Sequence, residues 1–250
     1  IERTPENTGE REDVIDLVRV VAAAGRNDGC AACLGLVREN FRRFCAAVGA
    51  DVDCMVVTHQ VHQDDVRIAT SADAGKGLDR ERDYDVDGLI TNERGLPLVI
   101  HSADCIPVLL HDPVKQVIGA CHAGWRGTAL GIAAKTARRM AEVYGTDPAD
   151  LHCAIGPGIS RCCFETRADV PEAVRAALGD AAADFIDDHG DGSFHVDLKG
   201  INRWWLRSVG VPPEQIEVCQ ACTACDLNTF FSHRRMGTAR GAMAAIIELT

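Results

Sequence analysis

Two short stretches of this chain hold residue types that do chemistry, at a spacing that can bring them together. Ser102-Ala103-Asp104-Cys105 is followed by an apolar run, the turn Asp112-Pro113-Val114-Lys115-Gln116, a second apolar run, and then Cys121-His122-Ala123-Gly124-Trp125-Arg126-Gly127. Asp-Pro initiates turns, so the segment reads as a β-hairpin. With His111 opposite Val117, Cys105 and His122 lie across from each other to within one residue at the open end of the ladder. A thiol and an imidazole at that separation make either two ligands of one metal or a nucleophile–base pair. Thr58-His59-Gln60-Val61-His62 offers a third ligand. If that segment is extended, His59 and His62 point to opposite faces, so one of them faces the site. One cysteine and two histidines with no fourth protein ligand is the stoichiometry of a catalytic zinc site with an open water position. The same donors suit copper. Asp104, next to Cys105, could act as a proton carrier. The plainer reading makes Cys105 a small buried hydrophobe and His122 a hydrogen-bonded strand end.

The Gly-Trp-Arg-Gly turn after His122 feeds a helix expected to begin at Thr128. A glycine-flanked helix start presents backbone N–H groups to an anion, and Arg126 could clamp a phosphate or carboxylate there. The alternative is a tight strand-to-helix connection with Arg126 solvated. His233 and Arg234, in the run His233-Arg234-Arg235, could reach a substrate or form a solvated face. Cys30-x-x-Cys33 and Cys219-x-x-Cys222-x-x-Cys225 have the look of structural zinc spacing. They are remote in sequence and no His-x-x-x-His accompanies them, so the expectation is packing residues without a structural metal. Adjacent Cys162 and Cys163 are expected to be half-buried packing residues.

The elements that must position these groups follow from apolar spacing. Helices are expected over 14–24, 38–48, 128–144, 170–178 and 198–209. Strands are expected over 55–58, with 66–70 its continuation, and over 88–91, 98–101, 106–111, 117–122, 151–155 and 216–219, with 242–249 a closing strand or helix. The order lacks the regular βαβ rhythm and a G-x-G-x-x-G turn. The fold class is therefore α/β in the mixed α+β sense, and not a Rossmann sheet.

The chain is 250 residues, with 26 Lys+Arg against 37 Asp+Glu and a net charge of −11. That length buries a proper core without disulfides, so its 12 cysteines require another account. The acidic balance argues against nucleic acid and against anionic membrane surfaces as partners. The most apolar region, 96–110, is interrupted by His101, Ser102 and Asp104, so no segment reads as a membrane span. No basic segment followed by an apolar one marks the start for export, and the expected compartment is the cytoplasm, where thiols stay reduced. The expected organisation is a polar, weakly ordered segment over 1–30 and a single catalytic domain over 31–250.

Six motifs together resemble the laccase-domain, YfiH-like family, whose members are called polyphenol oxidases or purine nucleoside phosphorylases. They are His-Gln-Val-His (59–62), Asp-Gly-Leu-Ile-Thr (87–91), Ser-Ala-Asp-Cys (102–105), Cys-His-Ala-Gly-Trp-Arg-Gly (121–127), Ile-Gly-Pro-Gly-Ile-Ser-x-Cys-Cys-Phe-Glu (155–165), and Cys-Thr-x-Cys (222–225) with Phe-Phe-Ser-His-Arg-Arg (230–235). The resemblance implies a single domain of mixed β-sheets flanked by helices, similar to a bacterial toxin deamidase that uses a Cys-His pair. It implies metal ligands at His62, Cys105 and His122, and it is the resemblance that selects His62 over His59. It implies phosphorolysis of adenosine, inosine, guanosine and methylthioadenosine with phosphate, alongside adenosine deamination. Some members are described as copper-dependent oxidases of phenols that use oxygen, and others as editing factors acting on a cell-wall precursor. A multicopper oxidase needs many paired histidines, whereas this chain has 9 and no His-x-His. The expectation is a zinc or copper enzyme of purine nucleosides, with a phenol oxidase and a metal-free Cys-His hydrolase as alternatives.

Overall fold

The computed structural model describes residues 21–23 and 31–250, with side chains from residue 35 onward. Its strands are β1 (Val21–Ala23), β2 (Val56–Val57), β3 (Val66–Ile68), β4 (Gly88–Thr91), β5 (Leu98–Ser102), β6 (Ile106–Asp112), β7 (Val117–Ala123), β8 (His152–Ile155), β9 (Glu165–Thr166), β10 (Ile186–Asp188), β11 (Phe194–Val196), β12 (Ile216–Val218) and β13 (Ala242–Ile247). The helices are α1 (Ala31–Val48), α2 (Trp125–Leu130), α3 (Ile132–Tyr144), α4 (Asp169–Leu178), α5 (Leu198–Ser208) and α6 (His233–Met236). The sheets run β1-β13-β5-β2, β10-β11-β9 and β12-β8-β6-β7-β4-β3, and the first and last mix parallel with antiparallel pairs. The fold is mixed α+β, with mixed sheets flanked by helices.

The two larger sheets stack face to face, and the alternation of side chains along each strand decides what fills each layer. Leu98 and Ile100 of β5 meet Leu89, Leu109, Ile118 and Ala120 of the six-stranded sheet in one buried layer. Val99, between them, faces the other way, toward Phe41, Phe44 and Cys45 of α1. Val108, Leu110, Val117 and Cys121 of the six-stranded sheet pack on Ile132, Ala133, Ala137 and Met140 of α3. Both faces of β6 and β7 are thus covered and all fourteen of their residues are buried. That is why they read as continuous apolar runs and not as alternating ones. Each large apolar side chain so buried contributes about 1.5–3 kcal/mol.

Several expectations change. Of the helix expected over 14–24, residues 21–23 form a strand against β13, and the remainder lies outside the described residues, as does most of the expected 1–30 segment. Cross-strand pairing overrides the helical spacing there. The stretch 66–70 does not continue the strand before it: β2 belongs to the four-stranded sheet and β3 to the six-stranded one. The helix expected over 128–144 starts earlier, at Trp125 after Gly124, and is broken at Gly131, whose φ is 77°. Thr128 does not cap it. It is fully buried inside α2, where its hydroxyl accepts from Asn202 Nδ2 (3.0 Å) and its carbonyl from Trp205 Nε1 (2.9 Å). The three-stranded sheet of β9, β10 and β11 was not expected at all. Among the described residues no helix is long and apolar enough to cross a membrane.

Gly131 lets the chain turn from α2 into α3 in a left-handed conformation, and a Cβ there would sit 3.1–3.3 Å from the Trp205 ring. Gly131→Ala should therefore cost about 1–2 kcal/mol from the left-handed backbone alone. Urea unfolding should show a lower midpoint at an unchanged slope.

Candidate metal centre

Three loops and strand ends deliver the chemical groups. His62 lies between β2 and β3, Cys105 between β5 and β6, and His122 near the end of β7. The ligand atoms of these three residues all lie within 4.8 Å of one another, and Cys105 Sγ is 4.0 Å from His62 Nε2. The imidazoles of His62 and His122 stand edge to face, with centroids 4.9 Å apart. His59 points elsewhere, half exposed, with Nδ1 2.6 Å from Asp85. The hairpin register differs by one residue from the expected one: Asp112, not His111, opposes Val117. The cause lies in the turn, where Asp112 Oδ1 accepts from the backbone of Val114 and Lys115 at 2.9 Å and extends the ladder. His122 is consequently opposite Pro107, and Cys105 sits just beyond the last pair, diagonal to it and still within reach. The residue that comes opposite Cys105 is Gly124. A Cβ on Gly124 would lie 3.0 Å from His62 Cδ2, 3.3 Å from Cys105 Sγ and 3.4 Å from His122 Cε1. The missing side chain is what leaves room for the three groups to converge.

Asp87 organises two of the three. Its carboxylate is completely buried at the start of β4. Oδ1 lies 2.7 Å from His122 Nδ1, and the two oxygens accept the successive backbone N–H groups of Val61, His62 and Gln63 at 3.0, 3.1 and 3.0 Å. An acceptor-only partner puts the hydrogen on His122 Nδ1 and leaves Nε2 for the site. The three amides explain how His62 tolerates a φ of 61°, which a non-glycine residue seldom adopts. The motif Asp-Gly-Leu-Ile-Thr (87–91) by itself assigns Asp87 no role. Its signal is an aspartate directly before a buried strand.

The electrostatics follow from this closeness. Burial would push the Asp87 carboxyl up, but the His122 hydrogen bond and the backbone N–H groups hold it below the usual carboxylate range. Burial would likewise raise the Cys105 thiol. Hydrogen bonds from His122 and His62 outweigh it and bring the pKa down to about 6. His122, pulled down by burial, is lifted to about 9 by Asp87 and Cys105. In the metal-free chain these directions favour a Cys105 thiolate and a protonated His122 beside the Asp87 carboxylate, and an ion would take the place of that proton. One thiolate and two imidazoles fit a zinc or copper ion as three protein ligands with a position left open.

The other sequence candidates are placed less centrally. Asp104 is buried, with φ 87°, and its carboxylate is spent on Thr223 Oγ1 (2.6 Å), Ser232 Oγ (3.1 Å) and the backbone N–H of Arg234 (2.6 Å). Its carbonyl accepts from Ile159 N at 2.8 Å. It shapes the turn that presents Cys105. Arg126 is exposed and stacks on Trp125, 4.2 Å from the ring centroid. The helix start expected at Thr128 lies instead at Trp125, directly after Gly124, and Thr128 is enclosed. Arg234 lies over the Phe164 ring and donates to the Cys163 carbonyl, while His233 Nδ1 accepts from Arg240.

With that geometry in view, comparison with known proteins is decisive. Residues 34–250 match the family described as multi-copper polyphenol oxidoreductase laccase. The chain belongs to this laccase-like, YfiH family. It is 36% identical over 206 residues to the purine nucleoside phosphorylase YlmD of Bacillus subtilis (strain 168), covering 80% of this chain and 72% of that one. It is 32% identical over 198 residues to the adenosine deaminase RL5 of an unknown prokaryotic organism, covering 78% and 74%. The crystal structure of the YfiH protein of Bacillus licheniformis superposes with a TM-score of 0.84 at 34% identity, over 87% of this chain and 82% of that one. The family is one of enzymes.

Two substitutions test the centre. Asp87→Asn should weaken metal binding by about 10–100-fold, read by competition with a chromophoric chelator. Gly124→Ala should lower metal affinity by crowding the ligands while leaving the unfolding midpoint of the metal-free protein nearly unchanged. An equal loss of midpoint and affinity would mean that the glycine serves the hairpin and not the ligands.

Proposed function

We propose that this enzyme is a purine nucleoside phosphorylase acting on adenosine, inosine, guanosine and methylthioadenosine, with adenosine deaminase activity at the same centre. The observation that carries the reading is the convergence of His62, Cys105 and His122 on one point, with Asp87 behind them. The names of the relatives give it its substrate class. His62, Cys105 and His122 would hold the ion, and zinc bound there supplies Lewis acidity and a water of lowered pKa. Asp87 fixes the tautomer of one imidazole and the backbone of the other, so both ligands are oriented before any substrate arrives. Asp104 acts as a positioning residue for Cys105 through its hold on Thr223, Ser232 and Arg234. Arg126, two residues beyond the glycine that floors the site, is the cation offered to phosphate. His233 and Arg234 are the residues assigned to the nucleoside. The cytoplasm is the compartment where these small substrates and reduced thiols coexist.

Two alternatives stand differently. The thiolate–imidazolium pair of Cys105 and His122, backed by Asp87, favours a metal-free Cys-His hydrolase as the second reading. A phenol oxidase with several coppers has no comparable support. Among the described residues other histidines pair as His189 with His195 in the three-stranded sheet and as His111 opposite His152 on β6 and β8.

Pure protein given inosine and phosphate should release hypoxanthine, and given adenosine should release ammonia. A failure to release either product would overturn the proposal. Cys105→Ala should lower both rates by more than the 10–100-fold typical of losing a group behind a ligand. Chelation should abolish both and zinc should restore them, whereas full activity after chelation would shift the assignment to the hydrolase.

A further inference from the structure

A second set of sulfurs gathers apart from His62, Cys105 and His122. Cys162 and Cys163 belong to the turn after β8, and Cys222 and Cys225 to the loop after β12. The parallel pairing of β8 with β12 brings the two loops side by side, and a bridge between Gly158 and Cys222 continues it. Cys162 Sγ lies 3.8 Å from Cys163 Sγ and 3.7 Å from Cys225 Sγ, and Cys163 and Cys225 are 3.4 Å apart. Cys222 joins them, with all four sulfurs within 4.8 Å of one another.

Those separations discriminate among explanations. A disulfide needs sulfurs at about 2.05 Å. Four thiolates around zinc, each bond about 2.3 Å, form a tetrahedron whose edges are about 3.8 Å. Simple packing is a poor account, because Cys162 and Cys225 are exposed and Cys163 is only half-buried. The surroundings suit concentrated negative charge. Ser160 N donates to Cys222 Sγ at 3.3 Å, Arg235 Nη2 lies 3.7 Å from Cys163 Sγ, and Lys199 Nζ donates to Ser160 Oγ and to the carbonyls of Cys219 and Ala221. N–H groups aimed at thiolates and their backbone are the usual support of such a site.

We propose that Cys162, Cys163, Cys222 and Cys225 form a second, all-thiolate zinc site of structural kind. On binding, four Zn–S bonds form, the thiols give up their protons to solvent, and no oxidation state changes. Spacing does not reveal it, because the two cysteine pairs lie far apart in sequence and only the pairing of β8 with β12 joins them. Its place in the fold gives it a task. The loop that Cys222 and Cys225 would anchor also contains Thr223, and Thr223, Ser232 and Arg234 hold the Asp104 carboxylate next to Cys105. The second ion would thus fasten the segment that braces the first.

Metal counting tests this independently of any activity. Wild-type protein saturated with zinc under reducing conditions and passed through a desalting column should hold two zinc ions per chain. Cys105→Ala should retain one, and so should the double variant Cys222→Ser, Cys225→Ser. Cobalt loaded into Cys105→Ala should show strong thiolate-to-cobalt charge transfer with tetrahedral ligand-field bands, and this measurement does not depend on the double variant folding. A Cys105→Ala protein that binds cobalt without thiolate charge transfer would overturn the proposal. So would iron in place of zinc in the isolated protein, or mass spectrometry showing Cys162 or Cys163 disulfide-bonded to Cys222 or Cys225 in protein isolated under reducing conditions.

Discussion

The structure of the centre depends on one buried carboxylate. Asp87 has no exposure to solvent, and an unpartnered charge in that position would cost several kcal/mol. It is tolerated because four N–H donors converge on it: His122 Nδ1 and the amides of Val61, His62 and Gln63. The same four bonds are the constraint on the chemistry. They fix a ring on β7 and a backbone turn between β2 and β3 by a single group at the head of β4. The carbonyl of Asp87 adds a fifth tie, accepting from His122 N at 2.7 Å. The bonds that make the buried charge tolerable are therefore the same ones that orient two of the three groups of the site.

Much of the sheet architecture was legible because burial on both faces writes long apolar runs. The runs 98–101, 106–111 and 117–122 needed no partner information to be recognised, and the Asp-Pro turn joined the last two correctly. The register was not legible to the residue, since it depends on Asp112 reaching back to two turn amides. The helix break at Gly131 was masked by apolar spacing that continues smoothly across it. The strands β9, β10 and β11 are two or three residues long with charged, partly exposed members, so neither length nor alternation marked them.

The site was legible in its reactive groups and not in their supports. Cys105 and His122 announced themselves by type and spacing, and His62 by family resemblance. Asp87 was overlooked because three of its four partners are backbone amides, which carry no side-chain signature. Asp104 was misjudged for the converse reason. Adjacency to Cys105 suggested chemistry, yet a left-handed backbone points its carboxylate to Thr223, Ser232 and Arg234. Neighbours in sequence thus face different tasks, and only the fold separates them.

The placement of the ligands on the chain has a consequence for how the protein matures. His62 and Cys105 lie on the two crossings where the chain passes from the four-stranded to the six-stranded sheet. No two ligands of that centre are near neighbours in sequence, so an unfolded chain offers a passing ion only single, weak donors. The three donors converge only when both sheets have stacked, so an ion held there would meet a cavity that folding has already formed. The adjacent Cys162 and Cys163, and Cys222 with Cys225, are local pairs that can each grip a thiophilic ion before folding is complete. If both clusters hold metal, the local thiol pairs would be available to it earlier in folding than the His-Cys-His centre.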